Sequence, residues 1–394
     1  MIADFTQIDE HAVRRLPVLC RRSLDAVADH LIGPARNDAE RARAIFRWIA
    51  VNVSYDTGAF FSGRYPAQSA ENVLKTGVAV CAGYSTLFQA LAERAGLESR
   101  IVSGIAKGYG YSLGQGLPEK PNHDWNAVRV EGCWRLIDCT WGAGHLGDSS
   151  QYVRELDNHF FLTPPAQLIY SHFPEDPELQ LLRCSVSRDE FEQLPILKSH
   201  FFSYGLGLDS DRLNQGLISC DGVHRIRVEA PGGIVLDGYL EQGSKRLSSH
   251  SFAQRRDNWC EIDIACPQAG KYALSLYVRH NMESISRCAA RFLVEARLPA
   301  RGVTFPERFS AFSDCSARLL QPCAGRLPAG TQQFQLVVPA ATDVAVINRG
   351  KWAHLEESGG VFRGSCNLEK GEAQLAAQLD GKDQYSVLLR YDVG

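Results

Sequence analysis

Cys81 stands in Val80-Cys81-Ala82-Gly83-Tyr84, where a helical pattern begins. Tyr84, Leu87, Phe88, Leu91 and Ala95 recur at helical spacing, and Gly96 is a natural stop. Unpaired N–H groups and the positive end of the helix macrodipole favour a thiolate at that point. The thiolate is the nucleophilic form of cysteine, and a neighbouring imidazole would depress its pKa further. A cysteine at a helix start is more often a small buried residue. The nucleophile reading therefore needs a base and something to orient it.

His123 and Asp138 supply that pair. Trp125–Val130 and Trp134–Thr140 read as strands flanking Glu131-Gly132, a plausible tight turn. With the hairpin centred there, His123 opposes Thr140 and Asp138 opposes Trp125. His123 and Asp138 then share one face as diagonal neighbours, about 7–8 Å apart at Cα. An odd-length loop would put them on opposite faces. The plain alternative is a solvated histidine and an aspartate at a strand end. For an oxyanion, the backbone N–H of Cys81 is one donor. Gln68 and Tyr55 are the upstream side chains considered for the second, although each is more often a structural hydrogen-bonding residue. Trp125 and Trp141 read as packing residues that could wall a cleft. His145, His159 and His172 read as structural or as part of its rim. The glycine-rich run from Gly104 to Gly116 is not a dinucleotide fingerprint, because no helical pattern follows it, and a mobile loop over the cleft is expected there.

These residues need a scaffold. Asn37-Asp38-Ala39-Glu40 has capping-box spacing, and Ala42, Ile45, Phe46, Ile49 and Val53 then recur at helical spacing. After the Cys81 helix, Arg100–Ser103 joins the two hairpin strands. From about residue 208 the helical period is lost. Short β-like runs separated by turn signals follow, among them Arg225–Val228, Gly233–Leu240, Tyr272–Val278, Gln333–Val338 and Tyr385–Tyr391. Their length suits two sandwiches of about 100 residues each, with Pro299 to Pro306 as the linker. The expected organisation is an enzyme domain over 1–205 and β-sandwich modules over 206–298 and 299–394.

Composition narrows the function classes. The chain has 394 residues, 45% hydrophobic and 22% charged, with a net charge of −3. That charge gives no support to nucleic-acid binding. No apolar run is long enough for a membrane span. The first residues lack the basic and apolar regions of a signal peptide, so a cytoplasmic location is expected; secretion without such a signal is compatible with the same sequence. The 12 cysteines are scattered, with no C-x-x-C pair. This argues against a structural zinc site and for reduced, mostly buried thiols. No metal or other cofactor is expected, and no EF-hand loop points to calcium activation.

A cysteine at a helix start, followed by histidine and aspartate on successive antiparallel strands, is the chain order of papain-like folds of the transglutaminase type. The residues carry the likeness further. Val80-Cys81-Ala82-Gly83-Tyr84-Ser85, Ser103 to Tyr111, His123-Asp124-Trp125-Asn126-Ala127-Val128 and Leu136 to Gly144 resemble the kyphoscoliosis-peptidase and hillarin branch of the transglutaminase-like superfamily. Asn158 to Pro165 and Tyr170 to Asp176 resemble the tail of that domain. The likeness covers roughly residues 30–185. It implies an α+β papain-like (transglutaminase-like) domain followed by two all-β immunoglobulin-like sandwich modules. It places the family's Cys-His-Asp set on Cys81, His123 and Asp138. It implies acyl transfer on a protein or peptide substrate, with thiol protease as the first label. Transglutaminase or deamidase action on glutamine side chains is the alternative. A third reading is a catalytically weak scaffold whose β-modules engage protein partners, cytoskeletal ones included, as in related family members.

Overall fold

The computed structural model describes residues 4–16, 23–147, 149–209, 215–379 and 384–394. Three helices come first: α1 (Thr6–Ala12), α2 (Leu24–Ile32) and α3 (Asp38–Asn52). Asn37 caps α3, its Oδ1 accepting from the Glu40 N–H at 2.9 Å. The Glu40 carboxylate accepts from the N–H and guanidinium of Arg36. It reaches one residue beyond the reciprocal bond of a capping box. The expected apolar stripe of α3 is buried in the core of this half, together with α2.

The chain then delivers Cys81. The short parallel pair β1 (Ser54–Tyr55) and β2 (Val78–Ala79) brackets α4 (Thr57–Ser62) and α5 (Ala70–Thr76). Directly after β2 comes α6 (Cys81–Arg94), whose Tyr84, Leu87, Phe88 and Leu91 enter the same core. Tyr84 also donates to the Val53 carbonyl at the end of α3, at 3.0 Å.

Next in chain order are β3 (Ser99–Ala106), β4 (His123–Val130), β5 (Cys133–Ile137), α7 (Cys139–Ala143), β6 (Gly144–Leu146), β7 (Tyr152–Arg154) and β8 (His172–Pro174). Four of the strands form one antiparallel sheet in the order β5-β4-β3-β8. Glu131 and Gly132 both have positive φ, 49° and 78°, the backbone signature of a type I′ hairpin turn. The register runs from Val130↔Cys133 to Asn126↔Ile137, as the turn predicts. The second strand is shorter than expected. It stops at Ile137, because Asp138 Oδ1 accepts from the N–H groups of Thr140 and Trp141 and starts a helix.

The chain divides into two compact units, Met1–Glu192 and Gln193–Gly394. That division lies ahead of residue 205; Ile196–Leu197 already pairs with Arg287–Ala296 of the second unit. The second unit is β-rich, with two pairs of sheets. In the first pair, a four-stranded sheet contains Val223–Glu229, Trp259–Ala265 and Ser251–Arg256, and a six-stranded sheet contains Ile234–Gln242, Gly270–His280 and Arg287–Ala296. A second four-plus-six set holds the strands from Glu307–Arg308 to Tyr385–Val393. The segment expected as a linker is packed. Ala300 and Phe305 are buried in one cluster with Phe252 of the first set and Phe312 and Phe334 of the second. No helix among the described residues is long and apolar enough to cross a membrane.

Candidate active site

The first turn of α6 is closely braced. A Cβ at Gly83 would lie 2.4 Å from Gln68 Oε1 and 2.7 Å from Ala79 Cβ, so only glycine lets the preceding chain approach so near. Gln68 uses this proximity. Its Oε1 accepts from the Val80 N–H at 3.1 Å, and its Nε2 donates to the Pro66 carbonyl at 2.9 Å. Cys81 itself is half-buried.

Strand β4 is tied to this helix three residues after its histidine. Buried Asn126 donates from Nδ2 to the Ser85 carbonyl at 3.1 Å. His123, at the head of β4, is 8% exposed, and Asp138 is 1% exposed. His123 Nε2 and Asp138 Oδ2 are 2.7 Å apart. An ionised carboxylate only accepts, so Nε2 carries the proton and Nδ1 is the nitrogen left for Cys81. Burial works against a charge on His123. The charge and hydrogen bond of Asp138, with a hydrogen bond and charge from Cys81, outweigh it and raise the imidazole to about 10. Burial likewise pushes the Asp138 carboxyl up. His123 and then His172 overcome that and hold it well below the usual carboxylate range.

Of the three residues expected to act together, His123 and Asp138 are in direct contact, and Cys81 is near enough to add to the rise of the His123 pKa. Tyr55, on β1, is near enough that the charges of Cys81 and Asp138 add to burial in raising its phenol pKa. The phenol therefore stays protonated. Trp125 is 1% exposed and stacks beneath the His123 ring at 6.0 Å between centroids. Trp141 is half-buried, 5.5 Å from the same ring, and its indole closes against Gly108 of the glycine-rich run.

In sequence His172 reads only as a structural or rim residue. It is 2% exposed, and its Nε2 lies 3.1 Å from the same Asp138 oxygen that holds His123. Nothing local in sequence marks it, since it sits on β8, far downstream of the hairpin. The one signal was its place in the Tyr170–Asp176 stretch that resembles the family tail. Burial lowers the His172 pKa to about 4, so its ring is neutral. His123, Asp138 and His172 offer ligand atoms within 4.8 Å of one another, the composition of a two-histidine, one-carboxylate metal set. Hydrogen bonds from both imidazoles to one carboxylate oxygen account for the cluster without an ion.

Comparison with known proteins identifies both domain types. The family model for the transglutaminase-like superfamily matches residues 25–139, and that for the KY-like, immunoglobulin-like domain matches residues 188–307. Kyphoscoliosis peptidase of Homo sapiens is 30% identical over 287 residues, 73% of this chain and 43% of that protein. Hillarin of Drosophila melanogaster is 34% identical over 217 residues, 51% of this chain and 26% of its own length. Cytokinesis protein 3 of Schizosaccharomyces pombe is 20% identical over 230 residues, 57% of this chain and 25% of that protein. The chain thus spans less than half the length of each of these relatives. Taken with the α6–β4–β5 arrangement, these matches make the chain a member of the transglutaminase-like superfamily, in the branch of kyphoscoliosis peptidase and hillarin, with a KY-like immunoglobulin-like domain after the transglutaminase-like one.

Proposed function

We propose that this chain catalyses acyl transfer through Cys81, with His123 as base and Asp138 as its orienter, and that water is the usual acceptor, making it a cysteine peptidase. The observation that carries this reading is the buried 2.7 Å contact between His123 and Asp138 beside a nucleophile at a helix start. With its basicity raised to about 10, His123 takes the proton of the Cys81 thiol through Nδ1, giving a thiolate–imidazolium pair. The thiolate adds to the substrate carbonyl. As the C–N bond breaks, His123 Nδ1–H protonates the leaving amine, giving a thioester. His123 then takes a proton from water, which displaces the thiol and releases the acid. The Cys81 N–H is one oxyanion donor. Tyr55 is better suited than Gln68 as the second: its phenol stays protonated close to Cys81, whereas the Gln68 amide already bonds Val80 and Pro66. Trp141 walls the cleft and Trp125 floors it. An amine acceptor would make the same thioester a crosslinking intermediate.

The peptidase name of a relative supports water as acceptor, whereas the cytokinesis name of another carries no activity and leaves room for the scaffold reading. The test is one screen on the full chain that measures peptide cleavage, ammonia release and amine incorporation in parallel. Cleavage lost with Cys81→Ala is expected. Ammonia release or amine incorporation without cleavage would move the assignment to deamidase or transglutaminase. No Cys81-dependent product, together with a Cys81 inert to thiol probes, would leave the scaffold reading.

A further inference from the structure

We propose that His172 is a positioning residue for this acyl-transfer site, fixing how Asp138 holds the base. The proposal rests on the reading of Cys81, His123 and Asp138 given above.

Its basis is the way four donors share one carboxylate. Asp138 Oδ1 accepts from the N–H groups of Thr140 and Trp141, at 2.7 and 3.1 Å. Oδ2 faces Nε2 of His123 at 2.7 Å and Nε2 of His172 at 3.1 Å. The carboxylate is therefore set in rotation by α7 on one oxygen and by two imidazoles on the other. Because Asp138 is ionised, Nε2 of His172 must bear a proton, and in a neutral ring that leaves Nδ1 bare. Ser171 Oγ lies 2.7 Å from Nδ1, closer than its 3.2 Å contact with the Leu168 carbonyl. The serine proton thus goes to Nδ1, and one chain of bonds runs from Ser171 through His172 to Asp138 and on to His123.

The sheet is shaped to allow this. Gly104 of β3 pairs with His123 on one side and with Pro174 of β8 on the other. A Cβ there would lie 2.2 Å from the Phe173 carbonyl and 2.7 Å from the Trp125 ring. Only glycine lets β8 come close enough for the His123 and His172 rings to sit 5.3 Å apart over one carboxylate. Trp125, at 5.0 Å, and Trp141, at 4.5 Å, clamp the His172 ring. The titratable groups facing it are Asp138 ahead of α7, His123 from β4 and His159 from the turn Asn158–Phe160. Lys107, just past β3, turns its ammonium onto the Phe191 carbonyl instead.

A neutral donor on Oδ2 has two consequences. It keeps the carboxylate aimed when His123 moves during the reaction. It also draws charge away from His123, so the imidazolium releases its proton more readily. Part of one hydrogen bond to an ionised group reaches the coupled titration when that bond is removed, a shift of about 0.5–1 pH unit.

The test uses the full chain and iodoacetamide, with Cys81 labelling followed from pH 5 to 11 beside turnover of a peptide found in the screen. His172→Phe is expected to move the upper, His123-dependent midpoint of the labelling profile up by that amount, and to lower kcat ~10-fold with KM unchanged. His172→Gln, whose amide can donate to Asp138, is expected to restore both. Ser171→Ala, at a half-buried position, should shift the profile the same way by less, and it reports on the proposal even if His172→Phe does not fold. An unshifted midpoint in a folded His172→Phe or in Ser171→Ala, or a His172→Gln that behaves as the Phe variant, overturns the positioning role. A wild-type Cys81 that labels no faster than the other thiols overturns the acyl-transfer reading itself, whatever the His172 variants do.

Discussion

In the β-rich unit, two buried guanidiniums each take one carboxylate. Arg308 is paired with Asp237 and also donates to the Ala253 carbonyl and to Ser313 Oγ. Arg279 is paired with Asp314 at 2.5 Å. Each guanidinium bridges separate segments of chain. In the N-terminal unit a single carboxylate, Asp138, takes two imidazoles and two backbone N–H groups, and one of the imidazoles adjoins a half-buried thiol. The lesson concerns what burial of charge is for. A matched pair is inert and holds a fold. An acid shared between two bases, one of them beside a cysteine at a helix start, holds a proton ready to move.

The thiols show the same contrast. Among the described residues no cysteine is in a disulfide, and Cys20 lies outside them. Burial pushes Cys260 up to about 12 and Cys139 well above the usual thiol value. A hydrogen bond from Cys266 lowers Cys220, but Cys220 is fully buried. Only reactivity that combines access with an imidazole partner separates Cys81 from these. The largest expected effect is therefore that Cys81→Ala removes both turnover and the fast phase of alkylation. Peptide mapping after limited alkylation checks it. Labelling of Cys220 or Cys139 ahead of Cys81 would erase the contrast between the two units.

The next effect tests the orienter. Asp138→Asn removes the charge on Oδ2 and favours the wrong imidazole tautomer, so acyl transfer should fall by about 10- to 10³-fold. His123→Ala should be at least as damaging and should move Cys81 alkylation to higher pH. Both comparisons need only rate and labelling profiles on folded protein. Normal rates in either variant would remove that residue from the mechanism.

Arg308→Met tests the opposite half. Breaking a buried ion pair by deleting one partner leaves Asp237 uncompensated and destabilises by about 3–5 kcal/mol. The melting temperature of the β-rich unit should fall while the Cys81 labelling rate stays at its wild-type value. A loss of labelling in step with melting would mean that the two units do not separate in function as their buried charges do.

How much of this was legible beforehand follows from distance along the chain. The hairpin register could be read because Glu131-Gly132 fixes it locally, and a turn leaves a signature in two residues. The helix start at Cys81 was equally local. The strand end at Ile137 was not, because Trp134–Thr140 alternates well enough to continue; the N-cap bonds of Asp138 decide the matter, and they exist only once the turn is made. His172 was beyond reach for a different reason. Its partner is 34 residues away in sequence, and β8 is a three-residue edge strand with no period to read. The packing of Phe305 against Phe252, 6.2 Å between centroids, was hidden in the same way, since a Pro-bounded segment looks like a linker whether or not it is buried.

The smallest predicted effect concerns stability and sets two groups of the N-terminal unit against each other. Lys107 is 4% exposed; its Nζ donates to the Phe191 carbonyl at 2.6 Å and lies over the Phe191 ring. Burial lowers its pKa to about 7 from an ordinary 10.5. The folded state then binds fewer protons than the unfolded one between those values, so Lys107 makes stability rise with pH across that window. The slope is at most about 1.4 kcal/mol per pH unit. His123 has the opposite sign. With its pKa raised from 6.5 to about 10, its contribution is complete below pH 6.5 and is lost as pH climbs through 10. Between pH 7 and 10 the two oppose, and the wild-type profile should be nearly flat. Lys107→Met removes the rising component and should uncover a decline over that range. Hydrogen exchange of the β3 and β4 amides, measured at several pH values on the full chain, gives the profile locally. A Lys107→Met profile as flat as wild type would show that the ammonium does not titrate in this window. A wild-type profile that rises, with a flat Lys107→Met profile, would show that the His123 charge is not stabilised by Asp138, which would weaken the base on which the proposed chemistry depends.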